Sequence, residues 1–163
     1  MDGAFALRPD HQRQFRDEGF TVFEGIIPMD LVLRLRAACD GAREIARGER
    51  TPQAQRLQPV LRCDVDQAAF IEYEELSQLR AAITGVLGLA DGDEYRHGQR
   101  HVFGVLFEPR DKPWATNWHR DWRDNIEGLD RQKWWASFRD ERCFNQVNCA
   151  LYDDDCLWVV PGR

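Results

Sequence analysis

At 163 residues, 43% of them hydrophobic, the chain has the size of one domain and enough apolar material for a core. Its 22 basic and 28 acidic residues leave a net charge of −6 with no basic cluster, which argues against a nucleic-acid or anionic-membrane binder. No apolar run approaches the ~18 residues of a membrane span, no basic-then-apolar leader opens the chain, and the five cysteines (39, 63, 143, 149 and 156) form no CxxC pair. The expectation is a reduced, cytoplasmic protein without structural zinc.

In chain order, "RPDHQRQFRDEGF" predicts a short helix that stops at Gly19, and "FTVFEG" predicts a short strand. "PMDLVLRLRAACDGAREIARG" is the clearest helix. Leu31, Leu35, Ala38, Ala42 and Ile45 recur at three- and four-residue spacing, which gives it one apolar face, while Arg34, Arg36, Arg43 and Arg47 read as solvated. "ERTPQAQRLQPV", polar and with two prolines, reads as a loop or lid. "QAAFIEYEELSQLRAAITGVLG" is helical again, with room for a break, and "ADGDEYRHG" punctuates. The period then changes. "QRHVFGVLFEP", "ATNWHRDW", "CFNQVNCALY" and "CLWVVPG" are short runs rich in aromatic and β-branched residues, bounded by Gly, Pro or Asp. Helices first and antiparallel-type strands second predict an α+β domain over 1–163, mainly helical in 1–95, with strands of a sandwich or barrel in 96–163.

The stretch "WHRDW" carries the chemistry. On a strand, residues two apart share a face, so His119 and Asp121 project side by side, while Trp118, Arg120 and Trp122 share the other side. An imidazole and a carboxylate on one face can hold one metal ion. A second histidine from elsewhere completes the facial triad of non-haem Fe(II) oxygenases, although zinc or manganese suits the same donors. The alternative is two polar residues between core tryptophans.

Three segments, in order, are similar to one family. "FRDEGFTVFEGIIPMDLVLRLR" resembles the N-terminal signature of the phytanoyl-CoA dioxygenase family, "WHRDW" its HxD strand, and "ALYDDDCLWVVPG" the segment leading to its PG turn. The resemblance implies N-terminal helices packed on a double-stranded β-helix (jelly-roll, cupin-like) core. It implies Fe(II) held by His119 and Asp121, with 2-oxoglutarate as cosubstrate. Hydroxylation of a small-molecule substrate by dioxygen is then coupled to conversion of 2-oxoglutarate into succinate and carbon dioxide. It also places a 2-oxoglutarate contact near Asn148, which alternates with Gln146 on one side of its strand, although a polar residue satisfied by backbone is the equal alternative. Leu106 stands where some relatives carry a polar cosubstrate-binding residue.

The family's third ligand, a histidine, and its cosubstrate arginine lie beyond the PG turn, whereas this sequence reads Pro161, Gly162, Arg163. The expectation is therefore a jelly roll incomplete at its C-terminus. Nothing in the spacing of His11, His97 or His101 recommends a substitute ligand. Trp118 and Trp122 are candidates for a substrate wall, with Trp114, Trp134 and Trp135 nearby in sequence, or for core and lid packing. Asp153, Asp154 and Asp155 read as a hairpin turn rather than a cation site, and Cys149 and Cys156 as buried thiols. Two rival readings are a non-catalytic jelly-roll binding module lacking the third ligand and a non-oxidative zinc or manganese enzyme.

Overall fold

The computed structural model describes residues 5–90, 92, 103–112, 118, 130, 132, 135–136 and 146–162. The chain divides into two compact units, one formed by Met1–Pro113 with Ala150–Arg163 and the other by Trp114–Cys149.

The first unit is built on helices. Helix α1 (Pro9–Glu18) opens with proline in its first turn and closes at Gly19, whose φ of 83° is a left-handed cap that donates to the Phe15 carbonyl. The predicted stop is where the sequence puts it. The strand expected at "FTVFEG" is absent: residues 20–28 form an irregular connection with a turn at Glu24–Gly25. Pairing is a tertiary property, and Phe23 is drawn elsewhere. Its ring meets His11 edge-to-face at 5.5 Å and Phe5 at 5.6 Å.

Helix α2 (Met29–Glu49) buries Leu31, Leu35, Ala38, Ala42 and Ala46. The expected stripe holds for its first four members and then passes through Ala46, leaving Ile45 half-buried. Helix α3 (Ala68–Glu75) and helix α4 (Ser77–Leu87) are one apolar sequence interrupted at Leu76, whose ψ of 106° leaves the helical region. Helix α2 packs on α3, and α1 packs on α4. Phe70 of α3 is fully buried, which contributes about 1.5–3 kcal/mol. Gln12 of α1 donates to the Gly85 carbonyl at 2.9 Å, and the Gln78 amide of α4 donates to the Ile26 carbonyl.

The expected loop after α2 contains strand β1 (Arg56–Leu57), which pairs antiparallel with strand β2 (Val105–Leu106), Arg56 opposite Leu106 and Leu57 opposite Val105. Flanking bonds lengthen the ladder, from Val60 N to Phe103 O and from Phe107 N to Gln55 O, each 2.9 Å. Gly104 lets the strands approach closely here, since a Cβ would stand 3.0 Å from that of Gln58 and the neighbour would have to give. Phe103 meets the rings of Phe70 and Tyr73 at 6.0 Å and so seats the two-stranded sheet on α3. Leu57 and Val60 are fully buried, so this polar segment is anchored by two apolar residues that carry no period.

The described residues therefore give a helical layer with a small antiparallel sheet, an α+β arrangement. No further strand is present among them: 146–150 and 153–161 run without ladder partners.

Candidate functional site

Of the residues singled out for chemistry, His119, Asp121 and Trp122 lie outside the described residues, as do His97, His101, Trp114 and Trp134. Trp118 is described and 70% exposed, and Trp135 is also exposed. Among the described residues no group of three histidine, cysteine, aspartate or glutamate side chains is placed to hold a metal ion.

Gln146 and Asn148 are both exposed, with half-buried Val147 and Cys149 between and after them. Burial pushes the Cys149 thiol up to about 11, which makes it a protonated packing group at neutral pH. Leu106 sits in β2 with its side chain exposed.

His11 is buried. It stacks on Phe5 at 5.7 Å, and its Nδ1 accepts the Arg8 backbone N–H at 3.2 Å. Its acceptor nitrogen is used to close the start of α1, so it is a structural histidine. The acidic run is local as well. Asp154 accepts the Cys156 backbone N–H at 2.6 Å and its thiol at 3.1 Å, an Asx-type turn that holds the Asp154 carboxyl below the usual range and raises the Cys156 thiol. Cys156 is exposed, which corrects the expectation of a buried thiol: it follows this turn on an uncovered segment.

The arginines of α2 differ most from expectation. Arg34 forms a bidentate pair with Glu72 of α3 at 2.5 and 2.7 Å. Arg36 donates from Nε to the Leu151 carbonyl at 2.7 Å and lies 4.4 Å from the Tyr152 ring centroid. Arg43 and Arg47 both approach Glu108, at 3.4 and 3.3 Å, and Arg47 also reaches the Glu108 carbonyl at 2.9 Å. Partial burial would raise the Glu108 carboxyl, but its own backbone N–H and the two guanidinium charges outweigh that and lower it. These arginines are ties between segments distant in sequence. The signal was present: Arg36, Arg43 and Arg47 recur at seven and four residues, one row of the helix beside its apolar stripe.

One open depression of about 500 Å³ lies at the α3–α4 junction, lined by Ala68, Ile71, Glu72, Glu75, Leu76 and Ser77. Its lining mixes apolar residues with acids, and Glu72 is engaged by Arg34.

In comparisons with known proteins, no family model, no curated protein and no solved structure matches this chain.

Proposed function

We propose that the chain carries the metal-binding strand of an Fe(II)- and 2-oxoglutarate-dependent dioxygenase that hydroxylates an unactivated C–H bond of a small organic or lipid-like substrate, on a jelly-roll core. The observation that carries this reading is the sequence His119-Arg120-Asp121 between Trp118 and Trp122, set between an N-terminal and a C-terminal segment that resemble the same family in the same order. In support, the helix of residues 9–18 with its glycine stop and the long amphipathic helix of residues 29–49 stand in the order that the resemblance implies, whereas residues 20–28, where the sequence predicts a strand, form an irregular connection.

An imidazole and a carboxylate are a donor set that fits iron of this class. Bound there with 2-oxoglutarate, iron would supply the activation of dioxygen. The chain's own residues have simpler tasks. His119 and Asp121 hold the metal. The exposed Asn148 amide donates to the cosubstrate's carboxylate, with Gln146 beside it. Trp118 and Trp122, which alternation puts on the other side of the strand from the ligands, flank the substrate site. The reading also requires a second histidine ligand and an arginine for the cosubstrate's distal carboxylate, which the resemblance places after Gly162. His11 does not serve, because its Nδ1 is committed to Arg8 and its ring to Phe5 and Phe23.

The test is anaerobic Fe(II) titration of the native-length gene product, followed by succinate release on adding dioxygen, with His119→Ala and Asp121→Ala beside the parent. Loss of both signals in both variants is the expected result. Unchanged turnover in His119→Ala overturns the reading. A parent that binds no Fe(II) points instead to a binding module, and turnover without dioxygen or 2-oxoglutarate to a hydrolytic metal site.

A further inference from the structure

The C-terminal end of α2 meets the outer edge of β1. Arg50 caps the helix, and its N–H donates to the Ala46 carbonyl at 3.1 Å, so the root of its side chain is fixed. Its guanidinium forks onto β1: Nη1 donates to the Arg56 carbonyl and Nη2 to the Gln58 carbonyl, each at 3.3 Å. The register shows which edge those carbonyls belong to. The bond from Phe107 N to Gln55 O makes Gln55 and Phe107 a hydrogen-bonded pair, so the next pair along, Arg56 and Leu106, is not one. The N–H and C=O of Arg56 therefore point away from β2, and the Gln58 carbonyl, two residues on, points the same way. One planar fork thus occupies two successive acceptors of the edge. Arg47, on the same helix, closes the end of the strand pair: its Nε donates to the Ala54 carbonyl at 3.4 Å and its Nη2 to the Glu108 carbonyl at 2.9 Å. Leu57, between the two held carbonyls, is fully buried, so β1 cannot turn this edge elsewhere without losing a core contact.

We propose that Arg50 is an edge guard, whose fork closes β1 to strand addition by a second copy of this chain. An edge strand is a template for another chain, because its outward N–H and C=O groups repeat at the spacing of a ladder. A second copy arriving at β1 must bond the Arg56 and Gln58 carbonyls. It finds both held by a charged donor, which binds a carbonyl more strongly than a neutral N–H does. Arginine suits the task because its planar fork presents two donors side by side, which an ammonium does not. The device costs little loop entropy, since only six and eight residues separate Arg50 from the carbonyls it holds. For the same reason it is more than a tie. The groups it joins are already close along the chain, so what the fork adds is closure of the edge. The exposed Arg56 side chain works in the same direction, because two copies pairing antiparallel about Arg56 would set like charges face to face.

Sedimentation velocity of the full chain, parent beside Arg50→Ala across micromolar concentrations, is the direct test. The variant is expected to self-associate about tenfold more tightly than the parent, since two edge carbonyls become available to a second copy. Net charge opposes this effect: losing an arginine takes the chain further below −6 and increases repulsion. Arg50→Ala/Arg56→Pro separates edge pairing from a loosened fold. Proline removes the outward N–H of residue 56 and leaves the bonds to β2 in place, so association returns to the parent level. Arg50→Ala/Arg56→Ala, with the same charge but that N–H kept, stays associated. Equal association of Arg50→Ala and the parent overturns the proposal, and so does association that survives Arg56→Pro.

Discussion

Arg36 donates to the backbone carbonyl of Leu151, 115 residues further along the chain, and its guanidinium spreads over the adjacent Tyr152 ring. One side chain thereby fastens the segment after Ala150 to α2, through a planar fork that uses a hydrogen bond and a cation–π contact together. Arg36→Met keeps the aliphatic stem and removes both. The expected result is faster exchange of the Gly162 amide, whose bond to the Glu18 carbonyl fastens the same segment, and a loss of about 1–2 kcal/mol on denaturation. Arg36→Lys recovers little, because an ammonium cannot reproduce the fork. Exchange unchanged in Arg36→Met would show the contact to be incidental.

Glu108 gives a pH dependence with a definite sign. Its carboxyl lies lower in the folded chain than in the unfolded one, so the folded state binds fewer protons. The stabilisation is fully present above the unfolded carboxylate value of ~4.3 and is lost as pH falls through the folded value. With its side chain 60% exposed, the pair is screened, and its contribution stays below about 1 kcal/mol. Urea unfolding at a series of acid pH values should show a shallower decline for Glu108→Gln than for the parent. The slope is reduced rather than abolished, because Glu72 and Asp154 are lowered too.

Two glycines answer the same substitution with opposite signs. Gly19 holds a φ of 83°, and the nearest atom to an added Cβ, the Gly162 carbonyl oxygen, is at an ordinary 3.8 Å. Gly19→Ala therefore costs about 1–2 kcal/mol through the backbone alone. Gly41 lies within α2, with nothing within 4 Å of an added Cβ. Gly41→Ala gains about 0.5–1 kcal/mol. Thermal unfolding of the two variants beside the parent checks both.

The thiols should react in a set order. Cys156 is exposed, but its thiol donates a hydrogen bond to the Asp154 carboxylate and is raised by it, so Asp154→Asn speeds its alkylation at pH 8. Cys149, pushed up to about 11, carries on the order of one thiolate in a thousand at that pH and reacts more slowly than Cys156 in the folded chain. Mass-resolved alkylation kinetics read both residues. Equal rates at the two positions would contradict the burial of Cys149.

Local features were legible in the sequence. The period of Leu31, Leu35, Ala38 and Ala42 gives α2, Gly19 gives the end of α1, and the apolar run from Ala68 to Leu87 gives α3 and α4. What depends on distant partners was not legible. "FTVFEG" has strand composition but no strand to pair with among the described residues, so Phe23 joins an aromatic cluster instead. Leu57 and Val60 sit in a polar, proline-bearing stretch where two apolar residues make no pattern, yet both are fully buried. The arginines of α2 looked solvated because a guanidinium's partner is set by the fold, and here the partners lie on α3, near β2 and after Ala150. At the candidate site, Gln146 and Asn148 are exposed on a segment without ladder partners among the described residues, and the proposed ligands His119 and Asp121 lie outside them.

The row of arginines along α2 makes that helix an indexing rod. Arg36 and Arg43 with Arg47 engage segments that enter the fold far apart in sequence, while the adjoining stripe from Leu31 to Ala46 sits in the core. Both depend on one angular phase. Inserting or deleting a single residue near Asp40 would turn everything beyond it by about 100° about the helix axis. Core and clasps would then fail together, whereas a single replacement disturbs one contact at a time. Homologues of this chain should therefore vary in the composition of this helix far more readily than in its length.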